Sequence, residues 1–225
     1  MNKVTLADVV QIPPTDFHKP SMRSIEDFIN AKYADKVIHR VGLCVGLHSL
    51  ISASEGLIGH GTGIVNVNVD FKLIVFRPFK GEIMRATITK SSPAGIALSA
   101  DFFEDMIVPP ETLFENTSWE KDDSGTWAFV WRADDGDGGF NEFYFDNAES
   151  CMVRIEEEQW HDISPDALRS QEYATEEEEE LARQTPPYLI RGSMMLAGLG
   201  PTLWWIGEGT EQATLGAEDE TMNGT

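Results

Sequence analysis

In Val65-Asn66-Val67-Asn68-Val69-Asp70-Phe71-Lys72-Leu73, every odd position is apolar and every even position is polar. That period of two belongs to a β-strand with one face on a core and the other in water. The run continues through Ile74-Val75-Phe76 and stops at Arg77-Pro78-Phe79, which reads as a domain boundary. Upstream, Val37–Leu50 supplies a second strand, and the Gly-rich loop Glu55–Gly63 lies between the two. Leu6, Val9, Val10 and Ile12 form a further strand ended by Pro13-Pro14, because proline has no N–H to give to a ladder. Between the strands, Ser24 with Asp27 predicts a capping box, and Ile25, Phe28, Ile29 and Tyr33 share one helical face. Residues 1–80 are therefore expected to form an antiparallel sheet carrying one helix.

After Gly81 the pattern changes to short strands separated by turns at intervals of about ten residues, the texture of a small β-barrel. Met84, Ala86 and Ile88 alternate with polar residues, and Ser92-Pro93-Ala94-Gly95 turns the chain. Ile96, Leu98, Ala100 and Phe102 alternate again, and Met106–Val108 stops at Pro109-Pro110. Trp127, Phe129 and Trp131 predict a fourth strand, and Phe143–Phe145 with Cys151, Val153 and Ile155 continue the sheet. Tyr188–Met194 reads as a last strand. The expectation is an α+β chain, with a five-stranded OB-like barrel over residues 81–206. A flexible acidic insertion is expected at about 162–187, where Glu176–Glu180 are five consecutive carboxylates, and a disordered tail at 207–225.

The formal net charge of −21 is unevenly placed: residues 1–110 carry 11 basic and 11 acidic residues, the remainder 6 basic and 27 acidic. Such a surface repels phosphate backbones, which argues against tight nucleic-acid binding by the whole molecule while leaving room for a local basic strip. Cys44 and Cys151 lie far apart in apolar stretches and read as buried thiols rather than a disulfide framework. The start Met-Asn-Lys-Val-Thr-Leu shows no signal-peptide pattern, and the uncharged run Val41–Ser54 is too short and too diluted to span a membrane. A soluble intracellular protein without membrane partners is expected.

No chemistry stands out. His18, His39, His48, His60 and His161 form no zinc-ligand spacing with each other or with the cysteines, so no metal site is expected. Asp134-Asp135-Gly136-Asp137-Gly138-Gly139 lacks the glutamate and helical flanks of a calcium loop and reads as a hairpin turn. There is no nucleophile elbow and no nucleophile with an evident base, so no catalytic residue and no cofactor is assigned. Gly59, His60, Gly61, Thr62 and Gly63 precede a strand rather than a helix, which leaves a plain loop tip and an exposed docking loop as the two readings. Lys90, Phe102 and Phe103 are the candidates for single-stranded RNA, a cation beside aromatic rings for base stacking. Adjacent strand residues face opposite ways, so at most one phenylalanine serves a given face, and core or interface is the alternative for both.

Phe71-Lys72-Leu73-Ile74-Val75-Phe76-Arg77-Pro78-Phe79-Lys80-Gly81-Glu82-Ile83 resembles the junction of tip and S1 domains in archaeal and eukaryotic RNA polymerase stalk subunits. Ser92-Pro93-Ala94-Gly95-Ile96, Phe102–Leu113, Pro187-Tyr188 and Gly198–Trp205 are similar to the RNA polymerase III stalk family in particular. The resemblance spans roughly residues 1–160 and 187–206. It implies a non-catalytic nuclear subunit whose tip domain docks on RNA polymerase III core subunits. It also implies a small helical partner subunit that completes the stalk, initiation factors as partners, and nascent RNA nearby. Residues 59–63 would face the core, and Leu203–Ile206, with Trp204 and Trp205, would pack against the barrel or the partner. The rivals are a stalk subunit of another nuclear polymerase and a free-standing S1-type RNA-binding factor.

Overall fold

A computed structural model describes residues 2–59, 61–121, 125–136, 138–162 and 185–205. The chain divides into two units, Met1–Phe79 with Gln159–Tyr188, and Lys80–Glu158 with Leu189–Thr225. The first unit thus takes in part of a stretch that sequence pattern assigns to the second domain. The acidic run at 163–184 and the expected tail at 207–225 lie outside the described residues.

The first unit holds β1 (Asn2–Ile12), α1 (Ser21–Tyr33), β2 (Lys36–Ile38), β3 (Gly42–Ala53), β4 (Leu57–Ile58) and β5 (Val65–Phe76). Its sheet runs β1-β5-β3-β2, with β4 also on β5, so the alternating strand that opened the analysis is central. All its pairings are antiparallel, with Val10 opposite Val67 and Leu47 opposite Leu73. Val67, Val69, Phe71, Leu73 and Val75 pack with Val10, Ile12, Cys44 and with Ile25 and Ile29 of α1. Burial of each such side chain contributes about 1.5–3 kcal/mol. The expected strand Val37–Leu50 is instead two: Arg40 has φ +60° and the Val41 N–H donates to Ile38 O (2.9 Å), folding β2 back on β3. The expected capping box is also absent. The helix starts at Ser21 after Pro20 with no side-chain cap, and the Ser24 hydroxyl donates to Asp16 O instead (3.4 Å). Asp8 ties α1 to β1 by accepting from the Lys32 ammonium and the Tyr33 hydroxyl. Burial opposes its ionisation, but these donors outweigh it and the net pKa is lowered.

The second unit contains β6 (Ile83–Ser92), β7 (Gly95–Ala100), β8 (Phe103–Val108), β9 (Thr117–Lys121), β10 (Trp127–Asp134) and β11 (Phe140–Tyr144). It is completed by β12 (Ser150–Trp160), β13 (Tyr188–Ser193) and β14 (Gly200–Pro201); the last two residues of β12 and the first of β13 are grouped with the first unit. The order β13-β8-β7-β6-β12 closes on itself because β13 also pairs with β12. Five strands form the ring, and β8 with β13 is its parallel pair. This is the OB-fold arrangement. Its interior is filled by Ile88, Ile96, Leu98, Phe103, Met106, Val108, Cys151, Val153, Ile155 and Ile190.

Two expectations are corrected here. The Trp127–Trp131 strand is not in the barrel: β10 is flanked by β9 and β11 in a separate three-stranded sheet, and β12 is the fourth barrel strand. β9 escapes sequence reading because Trp119 is its one apolar residue. The β7 alternation also ends early. Asp101 has φ +54°, which turns the chain before Phe102, so that Phe103 rather than Phe102 enters the core.

The small sheet carries aromatic rings along one face. Trp131 stacks on Phe114 (4.3 Å between centroids) and Phe143 (5.3 Å), and Trp204 packs on Trp131 (5.5 Å), Phe143 (5.3 Å) and Phe145 (4.7 Å). On the other face, the Arg132 guanidinium donates to both oxygens of Glu120 (2.9 and 2.7 Å) and to Glu142 (3.0 Å). That bidentate pairing, helped by the Ser118 hydroxyl, holds the Glu120 carboxyl down at about 2.

Three outcomes are expected. Gly95 has φ +137°, and a Cβ there would sit 2.4 Å from Val108 O, so Gly95→Ala lowers stability by about 1–3 kcal/mol in urea unfolding. Trp204→Ala removes the ring that closes the aromatic cluster, costs about 3 kcal/mol and speeds amide exchange in β9–β11 more than in β6–β8. The Glu120 contribution is present above its ordinary value of 4.5 and is lost as pH falls towards about 2. Arg132→Lys breaks the fork, so the Glu120 midpoint in a carboxyl NMR titration moves up towards 4.5.

Candidate functional site

Among the described residues no group of three or more His, Cys, Asp or Glu side chains is placed to hold a metal ion. Three histidine rings have local partners: His18 Nδ1 lies 2.7 Å from Thr15 O, His161 Nδ1 lies 2.9 Å from Pro186 O, and His39 packs edge-on to Trp160. The segment at Asp134 is a hairpin turn in which the Asp134 and Asp135 carboxylates accept from the N–H groups of Gly136 and Gly139 (both 2.8 Å). Both cysteines are free and buried, and burial, with Glu149 second, pushes the Cys151 thiol up to about 12. Neither is activated as a nucleophile. No described helix is long and apolar enough to cross a membrane.

The surfaces are more informative. In the first unit, the Gly-rich loop is not free of structure: Leu57 and Ile58 form β4 opposite Asn66 and Val65, and the Gly59 N–H donates to Ile64 O (2.9 Å). Thr62 Oγ1 accepts from the Ile64 N–H (3.4 Å), which shapes the turn over Gly61 and Gly63. His60 lies outside the described residues. What the loop presents is not its glycines but Leu57 and Ile58, each 71% exposed. Sequence reading passed over both, although an adjacent apolar pair bordering a glycine loop was available as the signal. Strand pairing with β5 thus leaves two aliphatic side chains in water.

In the second unit the RNA candidates separate. Phe103 is 3% exposed in the barrel core and cannot stack on a base. Lys90 pairs with Ala97 towards the β6–β7 turn, whereas Phe102, 44% exposed, sits in the β7–β8 turn at the other end of β7. The structure does not bring this cation and this ring together. Trp204 and Trp205, the partner-binding candidates, are half-buried in their own unit: Trp204 closes the aromatic cluster and the Trp205 indole donates to Leu199 O (3.0 Å). Among the described residues of that segment Leu203, 61% exposed, is the one left outward, and Ile206 lies outside them.

Comparison with known proteins matches this architecture. The family model described as "RNA polymerase III subunit Rpc25" matches residues 82–205, and the "SHS2 domain found in N terminus of Rpb7p/Rpc25p/MJ0397" matches residues 7–63. The chain is 35% identical over 200 residues to the DNA-directed RNA polymerase III subunit rpc8 of Schizosaccharomyces pombe, covering 88% of this chain and 96% of that protein. It is 34% identical over 202 residues to RNA polymerase III subunit RPC8 of Bos taurus, covering 90% and 97%. The RNA polymerase II subunit RPB7 of Glycine max aligns over 33% of this chain and 49% of its own length. Full-length matching to the polymerase III subunits, against partial matching to the polymerase II subunit, decides between the two. The chain belongs to the RNA polymerase III subunit Rpc25 family, whose members are non-catalytic stalk subunits of that enzyme.

Proposed function

We propose that the chain acts in the nucleus as half of a stalk heterodimer. A small helical subunit is its partner, the first unit docks on the polymerase III core, and the assembled stalk supports initiation on genes for small untranslated RNAs such as tRNA and 5S rRNA. The observation that carries this reading is the exposed Leu57–Ile58 pair at the end of the unit that matches the SHS2 model. A monomer gains nothing by leaving two large aliphatic side chains in water, and a partner that covers them recovers about 1.5–3 kcal/mol for each. Loop residues 59–63 border this pair and contribute shape. In the second unit, Leu203 is the residue offered to a partner, in place of the inward-packed Trp204 and Trp205. Lys90 and Phe102 offer RNA two separate contacts, which makes RNA the lesser part of the proposal, in keeping with the acidic surface.

Affinity purification of the tagged chain from cells, read by mass spectrometry at moderate salt, tests the reading. The wild-type chain brings down polymerase III core subunits, one small helical subunit and initiation factors. The double substitution Leu57→Asp with Ile58→Asp reduces core recovery by about tenfold or more and leaves the small partner bound. Equal recovery of the core by both chains would remove the tip from the docking surface, and recovery of RNA-processing proteins alone would return the chain to a free-standing RNA-binding module.

A further inference from the structure

The β9–β10 hairpin carries an aromatic pair that neither the barrel nor the aromatic cluster uses. Trp119 and Trp127 lie on the same face, stacked with centroids 5.8 Å apart and planes 11° from parallel. Trp119 is anchored on the buried Phe129 (4.8 Å), while Trp127 is 51% exposed. Lys121, the cross-strand neighbour of Trp127, places its ammonium 5.4 Å from that ring's centroid. An exposed indole backed by a second indole and already facing a cation is an electron-rich surface that attracts positive charge.

The surroundings narrow the ligand. Residues 111–160 contain 14 acidic and 3 basic residues, and of those three Arg132 and Arg154 are held by Glu120, Glu142 and Glu156. A stretch of that net charge repels a polyanion and draws a cationic ligand. Guanidinium is the better fit than ammonium, because it is planar, stacks on indole and is more weakly hydrated. The position in the sheet adds a shape. Among the described residues β9 is an edge strand, with β10 on one side and no strand on the other, so an extended chain can lie along it with alternate side chains over the aromatic face.

We propose that Trp119 and Trp127 form a docking site for an arginine-bearing, extended segment of another protein, whose guanidinium displaces Lys121 from the Trp127 ring. Lys121 is then a competitor and not a contact, which gives its removal a sign opposite to that expected for an anionic ligand.

The test measures binding of three dye-labelled probes to the full-length chain by fluorescence anisotropy at moderate salt. They are a twelve-residue peptide alternating arginine and threonine, its lysine counterpart, and a twelve-nucleotide oligouridylate. The arginine peptide binds more tightly than the other two. Trp127→Ala weakens it by about tenfold, as loss of a cation–π contact would, and Lys121→Ala tightens it by a few fold. Unchanged binding to Trp127→Ala would mean diffuse charge attraction and overturn the site. Tighter binding of oligouridylate, lost in Lys121→Ala, would overturn it in favour of RNA. Should Trp127→Ala melt well below the wild-type chain, Trp127→Leu replaces it, keeping apolar bulk while removing the π face, and carries the same expected loss.

Discussion

The second unit depends on the return of β13 to a strand laid down far earlier in the chain. Residues 188–193 enter between β8 and β12 and convert an open sheet into a ring. Ser193 donates its hydroxyl to Thr112 O (3.2 Å) across a sequence separation of 81, and the Met194 N–H donates to the same carbonyl (2.8 Å). The approach is close enough that a Cβ on Gly192 would lie 2.4 Å from Val153 Cγ2. Closure leaves no barrel edge to solvent among the described residues.

With the ring closed, the segment between β8 and β12 need not complete it, and it builds a small sheet of its own. Its two faces are held by different chemistry. One is an aromatic pile that Trp204, arriving from beyond β13, finishes; the other is the Arg132 fork on Glu120 and Glu142. Barrel closure delivers Trp204 to that pile, so the two sheets are coupled through the C-terminal segment. The same pile half-buries Trp204 within its own unit.

Several large apolar and aromatic groups on this chain stay in water although they sit on paired strands. Leu57 and Ile58 are held outward by pairing with β5, and Trp127 is held outward by β9 and Trp119. Order already present in a free chain lowers the entropy cost of any association it enters.

Period-two alternation in residues 65–76 determined the central strand of the first unit, and the spacing of Ile25 and Ile29 determined the helix that covers it. Both are local properties of the chain, as is the density of turns after Gly81. The strand partners were not local. Whether Trp127–Trp131 joined the barrel or a separate sheet depended on which strands offered hydrogen bonds, and the weakly patterned β9 supplied one edge. The positive φ at Asp101 exchanged Phe102 for Phe103 in the core, a one-residue shift that alternation counting cannot see. The candidate surfaces depended on the same long-range facts, since an apolar residue becomes a docking group only when every strand that could cover it is already placed elsewhere.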